Sequence, residues 1–126
     1  MSEVPNELHF TAEHEWVAGT EDPNIYRIGI TDFAQSALGD IVYIQLPKKG
    51  LQVSTGVICG EIESTKSVSE IYSPLTGEVV RVNESLEAAP ERINSDSYGA
   101  GWIAEIKITG PLPELMSAEK YRQITA

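Results

Sequence analysis

The chain has 126 residues, 41% of them hydrophobic and 22% charged, enough apolar material to fold around a core as one domain over residues 1–126. Lys and Arg total 9 against 19 Asp and Glu, a net charge of −10, which speaks against a nucleic-acid binder and against docking on an anionic membrane surface. A single cysteine, Cys59, excludes an internal disulfide, a CxxC redox pair and a multi-cysteine zinc site.

The N-terminal run Met1-Ser2-Glu3-Val4-Pro5-Asn6-Glu7 is acidic and resembles neither a secretory signal nor an Arg-rich transit peptide. No apolar run reaches the length of about 20 residues that spans a bilayer. The expected setting is the bacterial cytoplasm, or the mitochondrial matrix if the chain is a processed mature form. His14-Glu15-Trp16-Val17 leads into the turn formers of Gly19–Asn24. Ile25–Ile30 then alternates with Tyr26, Ile28 and Ile30 on one face, which predicts a hairpin. A short helix follows, capped by Thr31 or Asp32, with Asp32 and Gln35 at capping-box spacing. Its apolar face is Phe33, Ala34, Ala37 and Leu38, and Gly39 ends it in a left-handed conformation. Strands are predicted over Ile41–Leu46, Val57–Ile62, Val68–Tyr72 and Glu78–Asn83, with turns at Pro47–Gly50 and Ser73–Gly77. Residues 84–101 read as polar and irregular. Trp102–Ile108 alternates as a strand, and Pro113–Ile124 has helical periodicity with Leu115, Met116, Tyr121 and Ile124 on one face. Many short strands with frequent Gly and Pro turns predict a mainly β protein, a sandwich or flattened barrel, with the two helices as accessories.

Lys66 stands out for chemistry. Two strand-like runs meet at Ser64-Thr65-Lys66-Ser67, a reversal without Gly, Pro, Asn or Asp, and they place the lysine at or beside a hairpin tip among small hydroxylated residues. Read by itself, a lysine in a turn is a solvated surface group. An exposed tip on a rigid scaffold is also where a modifying enzyme engages a folded substrate. The overlap of Gly60–Ser67 with a phosphate-binding loop fails. Thr65 replaces its second Gly, Glu61 and Glu63 repel phosphate, and no helix follows. His9 and His14 are five residues apart, so on a continuous strand they would face opposite sides. No G-x-S-x-G elbow accompanies them, and Cys59 in its apolar run reads as a small core residue.

The segment Glu63-Ser64-Thr65-Lys66-Ser67-Val68-Ser69-Glu70 resembles the lipoyl-lysine hairpin of the glycine cleavage H-protein family. The resemblance continues, in the family's order, through His14-Glu15-Trp16, Gly29–Gln35, Leu38–Tyr43, Leu46-Pro47, Ser73–Val79, Gly101-Trp102 and Leu115–Tyr121. It implies a flattened barrel-sandwich hybrid of short antiparallel strands with one short internal helix and a C-terminal helix. It also implies a non-catalytic carrier of lipoate, held in amide linkage on Lys66. The carrier would take an aminomethyl group from a glycine decarboxylase to an aminomethyltransferase and be reoxidised by dihydrolipoyl dehydrogenase. Glu63 and Gly77 match the positions that lipoylating enzymes recognise in the family, and Glu15 and Glu70 are the candidate acids of the cleft where the arm rests. Ser97 stands where the family has a proline, which predicts a looser loop, and Thr65 and Ser67 replace the family's usual Val and Ala. The biotinyl pattern, a lysine between methionines, does not match. An H-like protein relaying lipoate to other enzymes, and an unmodified acidic β-domain serving as a binding module, are the alternative readings.

Overall fold

Alternation of apolar and polar residues organises the chain into short strands in the computed structural model, which describes residues 3–126. In chain order these residues form β1 (His9–Phe10), β2 (Glu15–Gly19), β3 (Ile25–Ile30), α1 (Asp32–Leu38), β4 (Ile41–Gln45), β5 (Gln52–Val53), β6 (Ile58–Ser64), β7 (Val68–Tyr72), β8 (Gly77–Val82), α2 (Ser85–Ala88), α3 (Arg92–Ser95), β9 (Ala104–Ile108) and α4 (Ala118–Thr125). One antiparallel sheet has the order β1-β2-β3-β9-β8-β5 and the other β4-β6-β7. The fold is mainly β, with two sheets rather than a closed barrel.

Register explains which side chains go inward. Val17 pairs with Ile28, Ile28 with Ala104 and Ala104 with Val82. This row meets Ile44, Ile62 and Ile71 of the smaller sheet in one apolar cluster. The next row outward is Arg27–Glu105–Arg81. There Arg27 donates to Glu105 Oε2 from Nε at 3.0 Å and Nη2 at 2.9 Å. Both guanidinium groups lie over the Trp102 ring, at 4.2 and 5.2 Å from its centroid, a cation–π arrangement that shields the sheet's outer face.

That face carries a second apolar cluster of Phe10, Trp16, Ala118 and Tyr121, in which the Phe10 and Tyr121 rings stack at 4.6 Å. Gly29 makes room for Trp16. The two are cross-strand partners, and a Cβ at Gly29 would lie 2.6 Å from the indole. The indole Nε1 donates to the Ser97 carbonyl at 3.0 Å.

Several local expectations are corrected. The α1 cap is Thr31, whose hydroxyl accepts from Ala34 N at 3.2 Å. Asp32 and Gln35 form a side-chain pair at 2.7 Å instead of a capping box. Gly39 does take a positive φ of 82°, but its ψ of −159° is not left-handed helical. Residues 84–101 are not simply irregular, since α2 and α3 bury Leu86 and Ile93 completely. Each helix is a single turn, too short for periodicity to reveal. The C-terminal helix starts only after Ser117, whose hydroxyl caps it by accepting from Lys120 N at 3.2 Å. Pro111 and Pro113 disfavour helix ahead of it. Met116 pairs with Phe10 as an extended bridge, so Leu115 and Met116 join different clusters and share no helical face with Tyr121. Ile124 is 48% exposed. The Ser97 loop is fastened rather than loose. Its hydroxyl donates to the Ile93 carbonyl at 2.7 Å, and the residue is 5% exposed.

Candidate functional site

The β6–β7 hairpin pairs Glu63 with Val68 and closes with Ser64 N donating to Ser67 O at 2.8 Å. Thr65 and Lys66 remain at the tip. Ser64 makes this turn work without the usual turn residues. Its Oγ accepts from Lys66 N at 3.2 Å and Ser67 N at 3.1 Å, a side chain standing in for a backbone turn. The tip leans on the junction between α1 and β4. Thr65 N donates to Asp40 O at 3.0 Å, and Lys66 Nζ donates to Ala37 O at 3.2 Å, in the last turn of α1. Carbonyls there lack helical partners and favour a cation. Asn94 of α3 holds the junction itself. Its Oδ1 accepts from Ile41 N, and its Nδ2 donates to Gly39 O and Gln35 Oε1, each at 2.9 Å.

Beside the lysine lies a cleft of about 270 Å³ whose lining includes Ala37, Leu38, Phe33, Ile62, Ser69 and Glu70. Ala37, which holds the Lys66 amine, therefore also borders the cleft. Glu15 lines it from β2. This carboxyl is 4% exposed and takes a 2.6 Å hydrogen bond from the Thr11 hydroxyl. Burial pushes its pKa up to about 7, against the Thr11 hydrogen bond that pulls it down. Glu15 also lines a second cavity of about 340 Å³ with Phe10, Tyr72, Ser73 and Leu115, so one acid stands between two hollows.

His14, next to it, has φ of 68°, a costly conformation for a residue with a Cβ. Three contacts hold it: the Phe33 ring at 4.7 Å, the Tyr121 hydroxyl 2.7 Å from Nδ1, and through that hydroxyl Thr31 Oγ1 at 2.7 Å. Burial lowers the His14 pKa, partly offset by Glu13, so the ring is neutral at neutral pH. His9 and His14 do not share a continuous strand, because residues 12–14 turn and β2 begins at Glu15.

The remaining expected site residues are dispersed. Glu70 is exposed and stands opposite Glu61, while Glu63 is half-buried between Tyr43 and Val68 in register. Gly77 is buried at the start of β8, where a Cβ would lie 2.1 Å from the Lys107 carbonyl oxygen. Cys59 is half-buried, and burial pushes its thiol up to about 12, which keeps it in the unreactive thiol form at neutral pH. Among the described residues no group of three or more His, Cys, Asp or Glu is placed to hold a metal ion, and no helix is long and apolar enough to cross a membrane. Thr31, Tyr121 and Asn94 were not legible as parts of the site, because their contacts join segments distant in sequence.

The arrangement suits a small acyl group in amide linkage: an exposed primary amine on a rigid two-residue tip, small hydroxylated neighbours, and a partly apolar cleft within reach. Residues 8–126 match the family model described as glycine cleavage H-protein. The chain is 52% identical to the glycine cleavage system H protein of Mycolicibacterium smegmatis, covering 98% of each chain. It is 50% identical to that of Mycobacterium avium, over 97% of this chain and 96% of the relative. The crystal structure of a glycine cleavage system H protein from Mycobacterium marinum superposes with a TM-score of 0.89 at 42% identity, covering 97% of this chain and 98% of that one.

Proposed function

The chain belongs to the glycine cleavage H-protein family, and on that premise we propose that it is the lipoyl-bearing carrier of a glycine cleavage system, with Lys66 as the attachment point. It shuttles an aminomethyl group from glycine decarboxylase to aminomethyltransferase, is reoxidised by dihydrolipoyl dehydrogenase, and works in a bacterial cytoplasm. The lipoyl dithiolane supplies the redox and group-carrying chemistry when bound. The observation that supports this reading is the exposed Lys66 amine at a two-residue tip that adjoins the cleft of Glu15.

The chain's own residues orient and shield. Ser64 fixes the turn, and the small side chains of Thr65 and Ser67 leave the amine accessible. Glu15, in its ionised form, pairs with a protonated amine delivered into the cleft, and Glu70 draws such a cation to the mouth. The cleft walls of Phe33, Leu38 and Ile62 limit access of water to the carried group. Glu63 is presented to the lipoylating enzyme on the outer face of the hairpin. Gly77 acts as a positioning residue that lets β8 approach β9. Tethering raises the local concentration of the carried group at each partner, while the carrier performs no catalytic step itself.

Intact mass and peptide mapping, before and after incubation with lipoate, ATP and a lipoate–protein ligase, test the assignment. One lipoyl addition on the Lys66 peptide is expected, and Lys66→Arg should abolish it. Addition to another lysine, or none to a protein shown to be folded, would defeat the carrier reading and leave an unmodified binding module. Reconstitution with glycine decarboxylase separates glycine cleavage from a lipoate-relay role.

A further inference from the structure

The three-stranded sheet leaves three large apolar side chains of β4 and β7 more than half exposed. β4 and β6 slip in register between Ile41, opposite Ser64, and Tyr43, opposite Glu63, so Val42 is an extra residue in the ladder. Bulges of this kind re-aim side chains next to functional sites. Here Ile41 and Ile44 are each 3% exposed and belong to the core, while Val42 at 56% and Tyr43 at 53% are left outside. The Tyr43 rung continues through Glu63 to Val68, which is 58% exposed. Tyr43 and Val68 therefore flank Glu63 at the base of the tip that bears Lys66, with Val42 next to Tyr43 in the chain. The adjoining rung is Gln45–Glu61–Glu70. Among the described residues the ion pairs join Arg27 and Arg81 to Glu105, and no cation pairs with Glu61, Glu63 or Glu70.

Position selects the occupant. Neighbouring strands lie about 4.8 Å apart, so the rung from Tyr43 to Val68 spans about 10 Å, and Lys66 is only two residues beyond Val68. A specific interface takes about 800 Å² from each partner, a disc of about 16 Å radius, so an enzyme seated on the Lys66 amine covers this rung. Ile62, Ser69 and Glu70 line the cleft, whereas Glu63 and Val68, the pair nearer the tip on the same two strands, do not border it. A partner acting on an arm held in the cleft meets the cleft side of the hairpin. The enzyme that attaches the arm meets the bare tip and this rung.

We infer that Val42, Tyr43 and Val68 form, around Glu63, the docking surface for the enzyme that lipoylates Lys66, which must offer an apolar centre within a rim of Lys and Arg. The inference rests on the carrier reading above. The test measures the kcat/KM of a purified lipoate–protein ligase for the unmodified protein, by intact mass, with the double variant Tyr43→Thr, Val68→Thr. Threonine keeps the β preference of both positions. Ile58→Thr serves as control, since Ile58 is 51% exposed on β6 but lies at the far end of the hairpin, opposite Tyr72.

With circular dichroism and melting unchanged, the double variant should lose tenfold or more in kcat/KM, mainly through KM, while Ile58→Thr stays within twofold. Added salt should raise the KM of the parent protein. Equal kcat/KM for parent and double variant, or an equal loss in the control, overturns the inference. Normal lipoylation combined with failure to be loaded by glycine decarboxylase, or self-association that the double variant abolishes, would give the patch to another occupant and also overturn it. A parent protein that is not lipoylated at Lys66 overturns the carrier reading itself, a separate outcome.

Discussion

Glu15 combines burial with a titratable carboxyl, and that makes its contribution to stability depend on pH. Its folded pKa of about 7 lies above the ordinary 4.5, so the native state binds the proton more tightly than the unfolded chain. The stabilisation from that proton is fully present below the unfolded pKa, declines from about pH 4.5, and is gone once pH passes 7. At 1.36 kcal/mol per pKa unit the swing is about 3 kcal/mol. Glu15→Gln is therefore expected to flatten this part of the profile: denaturant midpoints at pH 5 and pH 8 should differ less in the variant than in the parent protein. An identical profile for both would refute the burial account. Other residues divide by what a sequence can display. The place of Lys66 at a hairpin tip was legible because its neighbours are small and lie between two strand patterns. The burial of Glu15 was not, because it depends on Thr11 and on sheet packing. Gly77 matched a family position, and its close approach to the Lys107 backbone adds a packing reason for glycine there.

At the scale of elements, the hairpin tip is only as rigid as the junction it leans on. Asn94 satisfies that junction with three hydrogen bonds at 2.9 Å to α1, Gly39 and β4. Asn94→Ala leaves the Ile41 amide and the Gly39 carbonyl without these partners. An unsatisfied part-buried backbone group costs about 1–3 kcal/mol, so a loss of roughly 2 kcal/mol is expected. Amide hydrogen exchange at Ile41 and Thr65 should accelerate more than at Val17 in the core, and uniform acceleration would mean a global effect only. Sequence patterning located the long strands well: Ile25–Ile30 and Val68–Tyr72 match β3 and β7 residue for residue. It missed β1 and β5, two residues each, and the single turns α2 and α3, because an element of about one repeat shows no recurrence from which a period could be read. The α4 boundary was misplaced for a different reason. The apolar spacing of Leu115 and Met116 mimics a helix, while their burial comes from two separate clusters.

For the whole molecule, the excess of acids is the dominant electrostatic fact. The net charge is −10, and two of the nine cationic side chains, Arg27 and Arg81, are already engaged with Glu105. Self-repulsion of this kind disfavours the compact state and is screened by salt, the Debye length being about 10 Å at 0.1 M. Melting by calorimetry at neutral pH should shift upward by a few degrees between low salt and 0.3 M sodium chloride. A fall instead would show that the Arg–Glu–Arg row outweighs the repulsion. The sandwich of two sheets was foreseeable from the density of short strands and turns. Their strand orders, and the clustering of α4 on the outer face of the larger sheet, arise from pairings between segments far apart in sequence.

The burial of Cys59 has a chemical corollary for the carrier proposed above. Thiol–disulfide exchange proceeds through the thiolate, and moving the thiol from 9.0 to about 12 cuts its thiolate population roughly a thousandfold. In that carrier the chain's own sulfhydryl would compete poorly for a tethered dithiolane, and an arm on Lys66 would escape capture as a mixed disulfide with its own carrier.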